Sequence, residues 1–229
     1  MNFLKTKIFL GYQSDVLNPK MKPFIYSKNK IRHFLDFYKS IVYLNKAAQY
    51  LKKSVSKEKK VLFIGTNKKL RKVLSEEATR CYSFFINYRW LGGTLTNWAT
   101  IKSQTNTLAY LENIQKTKAY INLTKKEKFS YYRKLVQLRL DFTGVKNMVE
   151  LPDIVIVIDP KKDLAAILEC KKLKIPIISV IDSNDNPDLV DFPIPINTES
   201  TRIIKLILRI LSNSILRGYV LYLKSRGKK

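Results

Sequence analysis

The chain has 229 residues, of which 45% are hydrophobic, and this is enough apolar material for a packed core and excludes a wholly disordered protein. Lysine and arginine number 43 against 18 acidic residues, so the formal net charge is +25 at pH 7. Such a charge is stabilised by a polyanion, and nucleic acid is the usual one. We find neither an amphipathic anchor nor a lipidation motif, so we expect no membrane partner.

Residues 1–32 are predicted to form an N-terminal extension of the folded domain. Basic and aromatic residues are mixed between Lys20 and Tyr26. Lysines neutralise phosphates and aromatic rings stack on bases, so this pattern is typical of an RNA contact. The alternative is a solvated basic surface over core aromatics.

Five short runs of Ile, Val and Phe predict buried strands, because they are continuous and mostly lack polar alternation. They lie at residues 61–65, 83–87, 154–159, 175–182 and 192–196. Apolar residues at helical spacing predict helices at residues 34–51, 68–80, 162–174 and 199–217. This alternation predicts one doubly wound α/β domain with a parallel sheet, made of residues 1–97 and 142–223.

Residues 89–98, Arg-Trp-Leu-Gly-Gly-Thr-Leu-Thr-Asn-Trp, form the most informative segment of the chain. Gly92 and Gly93 allow a positive φ or a close backbone approach. Thr96 or Asn97 is a candidate N-cap for a following helix. By local physics alone the segment is a strand-to-helix turn packed by two tryptophans.

Residues 98–141 interrupt the α/β pattern, because they contain no strand candidate and are too long for an ordinary crossover. Apolar spacings of three, four and seven predict two helices, and Thr124 with Glu127 forms a capping box before the second. We predict an inserted antiparallel helical hairpin, a coiled coil, with a basic tip at residues 116–128.

The last predicted helix is rich in Ile and Leu, but Arg202, Lys205 and Arg209 form a charged stripe along it. We therefore predict an amphipathic helix on the sheet and not a membrane span. Residues 224–229 are predicted to be a basic tail that is solvated or contacts RNA.

Aspartates follow two predicted strands, at the position where open α/β sheets bind ligands. Asp159, Asp182 and Asp188 could hold a metal or act in acid–base catalysis, as in a metal-dependent α/β enzyme. The alternative, helix caps and Asx turns, is favoured because no nucleophile, paired histidine or phosphate loop accompanies them. We therefore predict no enzyme, no cofactor and no metal.

The other candidates for a metal, redox or nucleotide site also lack the partner residues that such a site needs. His33 is the only histidine, which excludes a multi-histidine metal site. Cys81 and Cys170 fit no metal or redox spacing and are predicted to be inert buried thiols. The loop at residues 65–69 could hold a phosphate at a helix N-terminus, but it lacks the common nucleotide-binding patterns. As a phosphate ligand for this loop, an RNA backbone is therefore favoured over a nucleotide.

Residues 89–98 resemble the signature of the ribosomal protein S2 family. Asn18, Pro19 and Met21 resemble part of that family's N-terminal motif. Residues 151–159 and 182–197 resemble its central strand and its C-terminal block. The similarity extends from about residue 11 to residue 218, with the motifs in the same order.

This resemblance implies a flavodoxin-like, or Rossmann-like, α/β domain that carries a coiled-coil hairpin. It also implies a non-enzymatic component of the small ribosomal subunit at the head–body junction near the mRNA exit. Its partners would be small-subunit rRNA and neighbouring ribosomal proteins, and we expect no homo-oligomer.

Two sets of site residues are predicted. The RNA-contacting set is basic: Lys20, Lys22, Lys28, Lys30, Arg89, Lys102, Lys116, Lys118, Lys125, Lys126, Arg133 and Lys134. The structural set belongs to the family motifs: Asn18, Pro19, Met21, Trp90, Gly92, Gly93, Thr96, Asn97 and Trp98.

Composition points to an organellar type. Lys outnumbers Arg by 33 to 10, and Ile, Asn, Phe and Tyr are abundant, all residues with A/T-rich codons. No transit-peptide pattern is visible, so we expect an organelle-encoded or mature chain. Residues 21–26 and 192–197 resemble mitochondrially encoded members of the family. This resemblance favours a mitochondrial over a plastid ribosome, with plastid the close alternative. A peripheral membrane protein held by charge is the second rival, beside the metal-dependent enzyme.

Overall fold

The computed structural model describes residues 10–13, 17–28, 32–115, 117, 120, 123–198 and 200–226. Its strands are β1 (Leu10–Gln13), β2 (Ile25–Lys28), β3 (Arg32–Leu35), β4 (Val61–Ile64), β5 (Phe84–Ile86), β6 (Ile154–Val157), β7 (Ile177–Ile181) and β8 (Phe192–Pro195). Its α-helices are α1 (Phe37–Val55), α2 (Arg71–Arg80), α3 (Trp98–Ile114), α4 (Lys125–Phe142), α5 (Leu164–Lys172) and α6 (Thr201–Arg226).

The central sheet has five parallel strands in the order β5-β4-β6-β7-β8. Numbered within the sheet, this is the order 2-1-3-4-5 of flavodoxin-like doubly wound folds. All five predicted strands are present, and β4, β6 and β7 are buried along their whole length. The predicted α/β class is confirmed, because continuous apolar runs suit strands that are covered on both faces.

The sheet separates two apolar layers, because successive strand side chains point to opposite faces. Leu62 and Ile64 contribute to one cluster, together with residues of α3, α4 and α5. Val61 and Phe63 contribute to the other, together with residues of α1, α2 and α6.

Helix α6 is longer than predicted and ends at Arg226, so its last turn includes Lys224, which was assigned to the tail. By length and composition it is the one helix of the described residues that could cross a membrane. Here one side of it packs on α1 and α2. Gly218 allows a close approach to α1, because a Cβ at this position would lie 2.6 Å from the Lys52 carbonyl oxygen.

The N-terminal region contains a second sheet that the sequence did not predict. Strands β1, β3 and β2 pair antiparallel, in that order, and both pairs contain a register irregularity. A 3₁₀ turn, Pro19–Phe24, precedes β2 and buries Met21 and Phe24. The predicted extension is therefore partly built into the fold.

The predicted insertion contains two helices, α3 and α4, that contact each other. Leu108 of α3 and Leu135 of α4 lie in the same apolar cluster. The predicted capping box is present at the start of α4, where Thr124 and Glu127 bond reciprocally. Coiled-coil packing of the two helices stays a prediction.

Candidate nucleic-acid interface

The three aspartates of the enzyme hypothesis have separate structural roles at the carboxyl end of the sheet. Asp159 accepts from the backbone N–H of Lys162 at 3.2 Å and pairs with the same lysine's ammonium. Asp182 is buried and accepts from backbone N–H groups of neighbouring loops. Asp188 is exposed and pairs with Lys20. No three acidic, Cys or His residues within the described ranges form a cluster that could hold a metal.

A side-chain contact joins two loops at the switch point of the sheet, between β4 and β6. Asp163 is buried there and accepts from the Thr66 hydroxyl at 2.8 Å and from its backbone N–H at 3.3 Å. Burial raises the pKa of Asp163 above its usual range, although the Thr66 hydrogen bonds act in the opposite direction. This contact joins the loop that follows β4 to the start of α5.

A second buried carboxylate, Asp185, lies beside Asp182 and accepts from the backbone N–H of Asp182 at 2.7 Å. Burial raises the pKa of Asp185 to about 6, and the negative charges of Asp182 and Asp159 act in the same direction. These groups hold the loop after β7 in place.

The signature loop, residues 89–98, is wrapped around one carboxylate of helix α5. Glu169 accepts from the Trp90 indole N–H at 2.9 Å and from the backbone N–H groups of Gly93 and Leu95 at 2.8 and 2.9 Å. The backbone N–H and hydroxyl of Thr96 donate to the same carboxylate at 3.1 and 3.2 Å. Five donors from one loop therefore converge on a single side chain.

The ionised form of Glu169 is favoured by this arrangement. Partial burial raises the pKa of Glu169, but the hydrogen bonds from Trp90 and from the loop backbone outweigh it, so the pKa lies below its usual range. Hydrogen bonds to a charged acceptor are stronger than neutral ones, so this contact fixes the loop conformation. Glu169 could not be identified from the sequence, because within a helix it resembles an ordinary solvent-facing residue.

The two glycines of the loop differ in their environment. Gly93 has φ +86°, a left-handed conformation that favours glycine. Gly92 is exposed, and a Cβ there would meet no atom within 4 Å. The fold requires Gly93 for the turn, whereas nothing in the fold requires Gly92.

The end of the signature loop leads into α3. Asn97 is the N-cap residue of α3, but its side chain accepts no backbone hydrogen bond and instead accepts from the Thr100 hydroxyl at 2.9 Å. Trp98 is half-buried, and its indole N–H donates to the carbonyl of Val149 at 3.4 Å. Trp90 is the more buried tryptophan, with 8% of its surface exposed.

The N-terminal motif is attached to the loop after β7. The Asn18 backbone N–H donates to the Ser183 carbonyl at 3.1 Å, and the Asn18 side chain accepts from the Lys20 N–H at 3.1 Å. Pro19 begins the 3₁₀ turn and Met21 is fully buried. This arrangement directs Lys20 and Lys22 to the surface.

The predicted RNA-contacting residues that the structure describes with side chains are all exposed. These are Lys20, Lys22, Arg89, Lys102, Lys125, Lys126, Arg133 and Lys134. Lys28 lies in β2, but its side chain is outside the described part, and Lys30, Lys116 and Lys118 lie wholly outside it. The described residues therefore lie on three surfaces: the N-terminal turn, the signature loop and the hairpin.

The hairpin presents its positive charge in an unusual place. Lys125 and Lys126 occupy the first turn of α4, where the helix dipole disfavours cations. Further along, the Arg133 guanidinium stacks over the Phe129 ring at 4.2 Å, and Phe129 is 55% exposed. Charged and aromatic groups that are exposed together are suited to RNA phosphates and bases.

The end of α3 is joined to the end of α4 and the following turn by an ion-pair network that was also not predicted from the sequence. Glu112 of α3 pairs with Arg139 of α4 at 3.0 Å and with Lys146. Hydrogen bonds from these two cations keep the pKa of Glu112 below its usual range. Arg139 and Lys146 are thus occupied within the chain.

Both cysteines are buried and free. Burial raises the pKa of Cys81, and it raises the pKa of Cys170 to about 12. The prediction of buried thiols is confirmed, and their raised pKa disfavours thiolates at neutral pH.

Comparison with known proteins agrees with this architecture. The family model for ribosomal protein S2 matches residues 3–218. The chain is 44% identical to small ribosomal subunit protein uS2c of Phaeodactylum tricornutum, over 94% of this chain and 95% of that one. It is 44% identical to uS2c of Galdieria sulphuraria, over 95% and 92% of the two chains. It is 40% identical to uS2 of Nostoc punctiforme, over 94% and 81%.

The names of these relatives correct one prediction. Several of the most similar relatives carry the plastid-type name uS2c, and the preference for a mitochondrial over a plastid type was therefore wrong. The relatives are named as proteins of the small ribosomal subunit and not as enzymes. On its family match, its identity to these relatives and its sheet order, the chain belongs to the ribosomal protein S2 family.

Proposed function

We propose that the chain is a structural protein of a plastid small ribosomal subunit that binds rRNA through the hairpin, the signature loop and the N-terminal turn. Family membership supports a structural role in the small subunit and in translation. The single observation that carries the RNA contact is the distribution of exposed cations. All eight predicted basic residues with described side chains are at the surface. They lie on elements that are attached to the core by buried contacts.

This attachment is important because a cation on a flexible segment loses more conformational entropy on binding than a cation on an ordered element. Arg89 immediately precedes Trp90, which Glu169 holds from inside the fold. Lys125 and Lys126 project from a helix whose start is capped. Phosphate contacts at such positions orient the protein on the RNA without reading its sequence.

The position within the subunit is part of the proposal. By family resemblance, the protein lies at the junction of head and body near the mRNA exit and contacts neighbouring ribosomal proteins as a single copy. The carboxyl edge of the sheet supports a non-catalytic role, because its buried aspartates bond to the chain itself. Neither rival hypothesis, the metal-dependent enzyme or the membrane-held protein, is favoured by a contact in the described residues.

Sedimentation of native extract tests this proposal. We expect the protein to migrate with small subunits in a sucrose gradient after a moderate salt wash, with a known small-subunit protein as positive control. Migration near the top of the gradient, or with membranes, would overturn the assignment. Electron microscopy of the same fractions tests the position at the head–body junction.

A further inference from the structure

Phe129 of α4 is exposed, although its side chain has no polar group. Its ring is 55% exposed, and it is the only exposed one among the phenylalanines whose side chains the structure describes. An exposed tyrosine keeps a hydroxyl in water, whereas an exposed phenylalanine presents only apolar surface. A single exposed apolar residue needs no explanation by itself, so its surroundings decide what it can bind.

The surroundings of the Phe129 ring are strongly basic. Residues 125–134 of α4 contain five cationic side chains and one carboxylate. The acidic residues of α3 and α4 are all bonded within the chain, and they are Glu112, Glu127 and Asp141. The excess of positive charge around the ring is therefore not neutralised by α3 or α4, and it favours a polyanion as the partner of this surface.

Arg133 lies one helical turn after Phe129, and its guanidinium is 4.2 Å from the centre of the Phe129 ring. This contact orders both side chains before any ligand binds, which lowers the entropy cost of binding. Within the part of the chain that the structure describes, Arg133 has no ion pair or hydrogen bond through its guanidinium. Arg139 of the same helix, in contrast, pairs with Glu112. The N–H donors of Arg133 are thus available to an acceptor from outside the chain.

An aromatic ring beside an available guanidinium matches the two parts of a nucleotide. A base of any identity can stack on an aromatic ring, and a guanidinium binds phosphate oxygens in a bidentate manner. In a double helix the faces of the bases are covered by neighbouring base pairs. A base therefore reaches an aromatic side chain only where it is unpaired and turned out of the stack.

We propose that Phe129 and Arg133 bind one unpaired nucleotide of small-subunit rRNA. Its base stacks on the exposed part of the Phe129 ring, and one of its flanking phosphates bonds to the Arg133 guanidinium. This inference rests on the proposed function, because the RNA is taken from the small subunit. It adds an uncharged contact residue and a class of RNA structure, a bulge or a loop and not a continuous duplex.

Affinity of the full-length protein for small-subunit rRNA, measured at several salt concentrations, separates stacking from charge. Phe129→Leu keeps an apolar helix-forming residue but removes the ring, so it should weaken binding about tenfold and leave the salt slope unchanged. Arg133→Gln should reduce that slope by about 1, as for one lost phosphate contact. Phe129→Trp keeps a stacking ring and should bind as the parent does. Parent affinity in Phe129→Leu, or an equal loss in Phe129→Trp, would overturn the inference.

Tyr110 provides a matched control on the other helix of the insertion. It is 63% exposed, and α3 carries no basic residue after Lys102. Tyr110→Leu is therefore a comparable loss of an exposed ring without basic surroundings, and it should leave rRNA affinity unchanged. Both leucine variants should melt within about 2 °C of the parent, because both replace exposed residues by a good helix former. Equal loss of affinity in the two variants would show that the Phe129 site has no special role.

Photocross-linking in assembled subunits identifies the partner of the ring. With p-benzoylphenylalanine in place of Phe129, we expect a cross-link to rRNA at a nucleotide that is not base-paired. Adding Arg133→Gln should lower the yield of that cross-link, because the phosphate contact is lost. A cross-link to a protein or to a base-paired nucleotide, or the absence of any cross-link, would contradict the proposed site.

The outcomes distinguish this inference from the proposed function. If the chain does not sediment with small subunits, both are overturned. If it does, but Phe129→Leu and Tyr110→Leu bind rRNA alike, only the nucleotide site is overturned.

Discussion

Gly92 and Gly93 are neighbours in the signature loop, but only Gly93 has a left-handed backbone. Gly93→Ala should therefore destabilise the isolated protein by about 1–2 kcal/mol. Gly92→Ala should be neutral or stabilising by up to about 1 kcal/mol, because the added methyl group meets nothing. Urea unfolding of the two variants measures this difference, and equal destabilisation would contradict the loop geometry.

Asp185 gives the protein a pH dependence of defined sign. Its pKa in the fold is about 6 against a reference of 3.8, so the native state binds the proton more tightly than the unfolded state. The contribution of Asp185 to stability is therefore greatest at acid pH and falls as pH rises from about 4 to 6, by up to roughly 3 kcal/mol.

The variant Asp185→Asn removes this titration while retaining an acceptor for the Asp182 N–H. Relative to the parent, the variant should become more stable between pH 4 and pH 7, on the order of 2–3 kcal/mol. Chemical denaturation at both pH values gives the comparison. Parallel stability curves for parent and variant would show that folding does not raise the pKa of Asp185.

Residue-level prediction from sequence was limited by contacts between distant segments. The roles of Asp159, as an acceptor in a local turn, and of Cys81 and Cys170, as buried thiols, depend on local pattern and burial, and both were predicted. Glu169 was not, because its five donors come from a loop that lies more than seventy positions earlier in the chain. A carboxylate in a helix gives no local sign of such a partner.

Among the elements, helix α4 combines a good cap with unfavourable charge. Replacing Lys125 and Lys126 by Glu should raise the melting temperature by about 1–2 °C, because acidic residues suit the first turn of a helix. The same double variant should weaken rRNA binding on the order of tenfold or more and reduce the salt slope by about 2. Filter binding and thermal melting measure the two effects.

A control with the same change in net charge is Lys172→Glu with Lys174→Glu, at the end of α5. It should lower the melting temperature, since cations are favoured at a helix C-terminus. It should weaken rRNA binding less than the hairpin variant. Equal loss of affinity would indicate that only net charge is involved and that the hairpin is not a contact.

Elements were predicted best where one physical signal dominated. The strands β4, β6 and β7 are continuous β-branched and apolar runs, and the capping box marks α4. The N-terminal sheet was missed because Ile25–Lys28 and Arg32–Leu35 are short and mixed with charge, and their pairing is irregular. Such strands depend on neighbours and not on their own pattern.

At the scale of the whole molecule, the charge of +25 predicts a binding reaction governed by salt. Affinity of the isolated protein for small-subunit rRNA should fall at least about a hundredfold between roughly 50 and 200 mM salt, because bound counterions are released from many phosphates. Titrations at several salt concentrations give the slope. A flat response would exclude a polyanion as the principal partner.

The contact between α1 and α6 has a consequence for how the protein is made. Helix α1 buries Leu44, Ala47 and Leu51 in a layer whose other wall includes α6, and Gly218 lets the two backbones approach closely. Because Thr201–Arg226 is synthesised long after Phe37–Val55, the apolar face of α1 has no complete partner until that later helix has been made. Closure of that layer must therefore await emergence of Thr201–Arg226 from the exit tunnel.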